Sequence, residues 1–168
     1  DRKGELVAAA RRQVALGPGP LAVAVTKDGS RVFVANAGYD HHSLSVLDAR
    51  SGAVLQDLPG ATGNNRGFYV GLAVTHDDRH VYASDGAADA LRTFALNAGA
   101  LSEGGAIDLP DGSWPAGIAF GPGESRIYVV ANLRDSLLIL DRASGALGDA
   151  AQEGQQVHAP RLGVPLRR

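Results

Sequence analysis

Short apolar runs alternate with clusters of turn residues along most of the chain, and one phrase of three such runs is repeated. Its clearest copy spans 115–141, where the runs 115–120, 126–132 and 136–141 are separated by Gly, Pro, Glu and Asp residues. β-branched and aromatic residues dominate the middle run. This pattern predicts three strands joined by tight turns and short loops.

The phrase occurs three times at a nearly constant spacing. Ala24, Ala73 and Ala119 occupy equivalent positions, so the repeat lengths are 49 and 46 residues. A period in the forties with three or four strands per unit is typical of β-propeller blades, whose sheets are arranged radially around one axis. Helical repeats would show helical spacing instead, and this chain does not.

Each run within the repeat has its own character. The first is rich in Ala and Gly, which suits an innermost strand where blades converge, and the second carries the bulky residues expected between blades. The third alternates polar and apolar residues, as in 43–46, and this predicts a strand with one wetter face. An Asp-x-x-x-Gly turn at 48–52 and at 141–145 then leads to an outer fourth strand.

The sequence therefore predicts an all-β fold: a partial β-propeller of about three four-stranded antiparallel blades, plus an N-terminal strand from a preceding blade. The predicted division is 1–16 (outer strand of the preceding blade), 17–58 (blade 1), 59–109 (blade 2), 110–150 (blade 3) and 151–168 (irregular tail). A short helix is the alternative for 5–16, which is rich in helix formers. Because propellers usually need four to eight blades to close, this open arc predicts a fragment of a larger ring or half of a dimeric one.

Composition excludes several classes of protein. A net charge of −2 gives no electrostatic basis for nucleic-acid binding, and the absence of Cys rules out disulfides and thiolate zinc sites. No apolar run approaches the roughly 20 residues of a membrane span, and no secretory signal is visible. The chain begins at Asp1 and lacks Met, so we expect its natural N-terminus to lie upstream.

The repeat resembles YVTN-repeat, YncE-like β-propellers. It is most similar to the N-terminal propeller of bacterial proteins in which a YncE-like propeller precedes an alkaline-phosphatase-family phosphoesterase domain, and the resemblance covers about 14–146. The motifs that carry it are Arg31–Asn36, Asn36–Asp40, Ser43–Asp48, Phe68–Val74, Trp114–Phe120 and Arg126–Asn132. Blade 2 departs from them at Ser84 and Asp85. The phosphoesterase half has no counterpart here, so the resemblance implies no catalytic residue.

One rim of the ring is predicted to carry the loops that follow the second strands and the loops that enter each blade. Loops on a rigid scaffold often bind ligands, and this rim could hold a polar small molecule or a protein surface. Asn and Asp also serve simply as turn residues. The candidate ligand-binding residues are Asn36, Tyr39, Asp40, His42, Asn65, Arg66, Asp85, Trp114, Asn132, Arg134 and Asp135, with Asn64 and Asp89 beside them.

Two histidine patterns in the sequence are candidate metal sites. His76 and His80 have zincin spacing but fall in a predicted turn rather than on a helix, so we interpret them as a solvated turn. Asp40, His41 and His42 contain metal-ligating groups but would need further ligands from other blades. We therefore predict no metal, no cofactor and no catalytic residue for this chain.

The leading functional interpretation is a non-catalytic binding or scaffold module of a YncE-like protein. By resemblance it would be periplasmic or extracellular and would precede a phosphoesterase domain. A lactonase-type propeller enzyme is the alternative, with Asp85, Arg134 and His42 as the nearest acid–base groups, although these form no recognisable set. A surface-layer or adhesion repeat protein is a third. The expected partners are a polar ligand or protein at the rim, and further blades or a second copy that closes the ring.

Overall fold

A computed structural model describes residues 13–39, 41–60 and 67–148. Within these ranges the chain is all-β, with two short 3₁₀ segments at Pro122–Glu124 and Asn132–Arg134. The strands are β1 (Pro20–Val25), β2 (Arg31–Ala37), β3 (His42–Asp48), β4 (Val54–Pro59), β5 (Phe68–Val74), β6 (His80–Asp85), β7 (Ala90–Asn97), β8 (Ala100–Asp108), β9 (Pro115–Phe120), β10 (Arg126–Ala131) and β11 (Ser136–Asp141). The described residues include no helix long and apolar enough to cross a membrane.

The strands form three antiparallel sheets in chain order, β1–β4, β5–β8 and β9–β11. The first strands of the sheets, β1, β5 and β9, contact one another in sequence, so the sheets fan out from a common inner edge. This arrangement confirms the predicted partial propeller. In the part of the third sheet that the structure describes, one bridge between Leu140 and Leu147 marks the start of an outer fourth strand. The predicted strand and tail at the termini lie almost entirely outside the described residues.

Two apolar clusters hold neighbouring blades together. Phe33, Phe68 and Phe94 lie fully or almost fully buried between blades 1 and 2. Ile127 and Tyr82 belong to the corresponding cluster between blades 2 and 3. Burial of each large apolar side chain contributes about 1.5–3 kcal/mol to stability. The bulky second strands therefore fill the contacts between blades, as the sequence pattern predicted.

The prediction of a wetter face on the third strand is wrong for β3. Ser43 and Ser45 are buried, although they alternate with Leu44 and Val46. Asn36 Nδ2 donates hydrogen bonds to both serine hydroxyls, at 2.9 and 2.8 Å. Because Asn36 Nδ2 and the two hydroxyls bond to each other, most of the cost of covering this polar face is offset, and only Asn36 Oδ1 in this group lacks a partner among the described residues.

The two outer faces of the arc remain uncovered among the described residues. On blade 1, Leu21 and Val23 are 52% and 66% exposed. On blade 3, Val130 and Leu137 are 45% and 54% exposed. A blade inside a propeller is covered on both faces, whereas among the described residues each end blade of this arc leaves apolar side chains of one face exposed.

Blades are also linked at the rim opposite the predicted loop rim, where first and second strands are joined by turns. The Asp78 carboxylate, in the turn of blade 2, accepts hydrogen bonds from the backbone N–H groups of Lys27 and Asp28 in blade 1, at 2.7 and 3.1 Å. Glu124, at the equivalent position in blade 3, accepts one from the backbone N–H of His76 at 2.7 Å. Both acidic residues have φ of 55°. The turns of blades 2 and 3 therefore each bind the turn of the preceding blade through hydrogen bonds to one acidic residue.

This linkage also shows what the His76 and His80 pair does. His76 Nε2 lies 2.6 Å from Lys27 Nζ, in the turn between β5 and β6. His80 is the first residue of β6 and its backbone N–H donates to Thr75 Oγ1 at 2.9 Å. Hydrogen bonds from Thr75 and from the Arg79 backbone hold the pKa of the neighbouring Asp77 below its usual value. The pair belongs to a hydrogen-bonded turn, and no helix aligns the two rings.

Replacing Asp78 with glycine is expected to lower the free energy of unfolding by about 1 kcal/mol, because two backbone donors lose a charged acceptor. The loss should appear even though glycine relieves the backbone strain at φ of 55°. Asp78→Asn keeps one acceptor oxygen, so its free energy of unfolding should lie between those of the parent and the glycine variant. Urea denaturation of the three proteins measures the difference. A glycine variant as stable as the parent would show that the linkage contributes nothing.

Candidate functional site

A cleft of about 200 Å³ opens on the loop rim between blades 1 and 2. Tyr39 and His42 reach it from blade 1, Tyr69 from the start of β5, and Trp114 from the segment that enters blade 3. We call this the rim cleft. The structure thus brings together Tyr39, His42 and Trp114, which the sequence had placed on one rim.

His42 is held in a defined orientation at the wall of the rim cleft. Its Nδ1 lies 2.9 Å from the carbonyl oxygen of Phe68. A carbonyl can only accept, so Nδ1 carries the proton, and Nε2 of the neutral ring keeps its lone pair. Gly67 makes the close approach of blade 2 possible, since a Cβ there would lie 2.6 Å from the His42 Cβ. The hydrogen bond therefore leaves Nε2 as the ring nitrogen that can act as acceptor.

Trp114 is fixed by three separate contacts. Its φ of 45° is unusual for a bulky residue, and the Asp89 carboxylate holds that conformation by accepting a 2.7 Å hydrogen bond from the Trp114 backbone N–H. Gly86 lies against the indole, because a Cβ there would come within 2.9 Å of Nε1. The Tyr69 ring meets the indole edge-on with centroids 6.2 Å apart. The indole is therefore rigidly placed on the rim before any ligand arrives.

The two rim carboxylates in blade 2 bind backbone rather than facing the cleft. Asp85 is buried, and its Oδ1 accepts hydrogen bonds from the backbone N–H groups of Gly67 and Ala88 at 3.1 and 3.3 Å. Asp89 Oδ2 accepts one from the backbone N–H of Gly112 at 2.7 Å. Both residues therefore act as turn residues, the alternative to ligand binding that the sequence left open.

The other predicted rim residues lie elsewhere. Asn36 is a fully buried residue of β2 that does not line the cleft, and its Oδ1 has no hydrogen-bond partner among the described residues. Asn132, Arg134 and Asp135 form an exposed turn beside the entry to blade 3, where the Asn132 backbone N–H donates to the Trp114 carbonyl at 3.3 Å. Predictions outside the described residues are those for Asp40, Asn64, Asn65 and Arg66.

The sequence did not predict three residues that line the rim cleft: Gly67, Tyr69 and Gly86. Tyr69 is the second residue of β5, and nothing in its spacing shows that its ring contacts the indole of Trp114 at the entry to the next blade. The glycines at 67 and 86 directly flank strands β5 and β6, and such isolated glycines can mark close approach of another group. In the described ranges, no group of His, Asp and Glu side chains could hold a metal ion.

Comparisons with known proteins agree on the propeller fold, and one family model matches most of the chain. The model of a family described as lactonase, 7-bladed beta-propeller, matches residues 1–159. A curated relative, the 6-phosphogluconolactonase of Bacillus subtilis (strain 168), is 29% identical over 136 residues, which are 74% of this chain and 38% of that protein. The chain thus spans well under half the length of this relative.

Two solved structures share the fold. The periplasmic gluconolactonase PpgL of Pseudomonas aeruginosa superimposes with a TM-score of 0.65 at 19% identity, covering 79% of this chain and 41% of that one. A putative 6-phosphogluconolactonase from Bacteroides fragilis also gives 0.65, at 22% identity, covering 82% of this chain and 39% of that one. These likenesses show the propeller fold, and they do not show the narrower YncE-like resemblance.

Proposed function

This chain belongs to the seven-bladed lactonase β-propeller family, and on that premise we propose that its blades form part of an enzyme that hydrolyses sugar lactones. The relative in Bacillus subtilis is a 6-phosphogluconolactonase, and the chain covers 38% of it. The observation that carries the proposal is His42 at the rim cleft, with Nδ1 bonded to a carbonyl and Nε2 left as a base. A general base of this kind is what lactone hydrolysis requires.

The proposed reaction needs only water and the lactone. His42 Nε2 takes a proton from a water molecule while the water oxygen forms a bond to the lactone carbonyl carbon and the carbonyl π electrons move onto the carbonyl oxygen. The C=O bond then re-forms as the ring C–O bond of the lactone breaks, and the departing oxygen takes the proton back from the imidazolium. The product is an open-chain hydroxy acid, which releases its carboxyl proton to solvent.

We further propose that more blades complete the ring around this arc. Support comes from the uncovered apolar faces at both ends of the arc and from the short span of the chain relative to its relatives. A periplasmic or extracellular location belongs to the same proposal. It is compatible with the periplasmic gluconolactonase among the similar structures.

The proposal predicts acid release from glucono-1,5-lactone, or from its 6-phosphate, by the protein that carries the complete ring. Release should exceed spontaneous hydrolysis measured in the same weak buffer with a pH indicator. The heat-inactivated protein at equal concentration is the control. Failure to accelerate hydrolysis of either lactone would reject the enzyme.

A non-catalytic scaffold module of the YncE-like type is the second candidate. It is favoured by the engagement of Asp85 and Asp89 with backbone groups, which leaves those carboxylates holding loops in place. Under this alternative the rim cleft would bind a ligand or protein without turning it over. The hydrolysis assay separates the two candidates.

A further inference from the structure

Two aromatic side chains of the rim cleft, those of Tyr39 and Trp114, are not accounted for by packing in the core. Tyr39 is 90% exposed, so its ring adds almost nothing to the core. Trp114 is only partly buried and is kept in a strained backbone conformation at φ of 45°. Strain of this kind persists where the surroundings enforce it, and it concentrates at functional sites. These two residues are therefore candidates for ligand contact.

The surroundings of Trp114 pre-organise the indole for binding. Asp89 fixes its backbone, Gly86 leaves room for its edge, and Tyr69 braces its ring. A side chain that is already ordered loses little conformational entropy when a ligand docks on it. Tyr39, in the facing loop of blade 1, completes the aromatic part of the lining.

The size and polarity of the cleft restrict what it can take. At about 200 Å³ it falls below the roughly 300–1,000 Å³ of pockets for drug-sized ligands, so it suits a single small ring. Aromatic faces carry partial negative charge and attract the C–H groups on the apolar face of a sugar ring. Tyr39, Tyr69 and Trp114 in the lining supply such aromatic faces.

We propose that the rim cleft recognises the closed sugar ring by stacking it against Trp114 and Tyr39, and that it discriminates against the open-chain acid. This inference rests on the proposed function, because it takes the ligand to be a sugar lactone. The closed lactone is flat enough on one face to stack and carries no charge on its ring ester. The open-chain product has no such face to stack, so opening of the ring itself weakens its binding.

Binding can be measured without turnover, because Trp114 is the single tryptophan among the 168 residues. The probes are glucono-1,5-lactam, a neutral closed ring that resists hydrolysis, and sodium gluconate. We expect the lactam to change the Trp114 emission saturably, and gluconate to bind at least tenfold more weakly. Equal affinity for the two probes, or no response to the lactam, would overturn the proposal.

Variants at Tyr39 test the stacking itself. Tyr39→Leu should weaken lactam binding about tenfold, whereas Tyr39→Phe, which keeps the ring, should stay within about twofold. Tyr128→Leu, at a partly buried tyrosine of β10 outside the rim cleft, controls for the loss of a tyrosine elsewhere and should bind normally, provided that circular dichroism shows it to be folded. Unchanged affinity in Tyr39→Leu would reject the stacking. Because Tyr39 is 90% exposed, we expect both Tyr39 substitutions to leave folding intact.

The outcome is distinguishable from that of the hydrolysis assay. Saturable lactam binding that depends on Tyr39, without lactone turnover, would uphold the recognition of a sugar ring and reject the enzyme. If Tyr39→Leu hydrolyses the lactone with an unchanged KM, the enzyme proposal stands and the stacking is rejected.

Discussion

Replacing His42 with asparagine is expected to lower kcat for lactone hydrolysis by about two to four orders of magnitude, the usual contribution of a general base. The asparagine amide nitrogen can occupy the place of Nδ1 and keep the hydrogen bond to the Phe68 carbonyl, now 2.9 Å long. What the variant lacks is a basic atom in the place of Nε2. The measurement is steady-state acid release from the lactone by the protein with the complete ring.

The neighbouring histidine provides a matched control. His41 is exposed and does not line the rim cleft, so His41→Asn should retain the parent kcat. Thermal denaturation of both variants separates chemistry from folding, because His42 also packs closely against Gly60 and Gly67. If His42→Asn folds normally and keeps its turnover, His42 is not the base and the catalytic part of the proposal fails.

The fold could be predicted from the sequence because all three copies of the repeat show the same pattern of small residues followed by bulky ones. Ala22, Gly71 and Gly117 take equivalent positions on the innermost strands, and Phe33, Val81 and Ile127 lie on the bulky second strands. Each set reflects a packing constraint that any propeller blade must meet. Agreement among three copies makes such a pattern far more specific than any one copy.

Only part of the candidate site could be predicted from the sequence, because several of its contacts depend on backbone conformation rather than on residue type. The sequence named Tyr39, His42 and Trp114, since loops after second strands must share a rim with the loops that enter blades. It could not show that Asp89 binds the Trp114 backbone, or that Asn36 lies buried between serines. Those facts depend on positive φ values and on which face of a strand is covered.

The functional family was harder to read than the fold for a related reason. The repeat motifs describe strands and turns, which many propellers share regardless of what they bind. The resemblance to YncE-like propellers and the match to the lactonase family therefore both rest on the scaffold. The acid–base group with the best geometry, His42, was among the residues weighed for a lactonase, but its bond to a main-chain carbonyl is visible only in three dimensions.

Replacing Gly71 with alanine is expected to destabilise the chain by about 3 kcal/mol, the upper end of the usual cost of overpacking. Gly71 lies on β5, and a Cβ there would come within 1.8 Å of the Ala116 carbonyl oxygen on β9. Backbone cannot move aside as a side-chain end can, so the two innermost strands must separate. We expect a fall of roughly 6–12 °C in Tm, measured by circular dichroism.

Gly117 is the equivalent residue of blade 3 and serves as the control. A Cβ there would lie 3.7 Å from Val130 Cγ2, an ordinary contact, so Gly117→Ala should leave this chain as stable as before or stabilise it by up to about 1 kcal/mol. A loss equal to that of Gly71→Ala in this chain would show that clash with the next blade is not the cause.

The same control substitution tests whether the ring continues beyond blade 3. In a closed ring the innermost strand of a fourth blade would lie against Gly117 as β9 lies against Gly71. Gly117→Ala should then be harmless in the 168-residue chain and cost about 3 kcal/mol in the protein that carries the complete ring. Equal tolerance in both would mean that no blade packs there, and the uncovered face with Val130 and Leu137 would need another partner, such as a second copy of the chain.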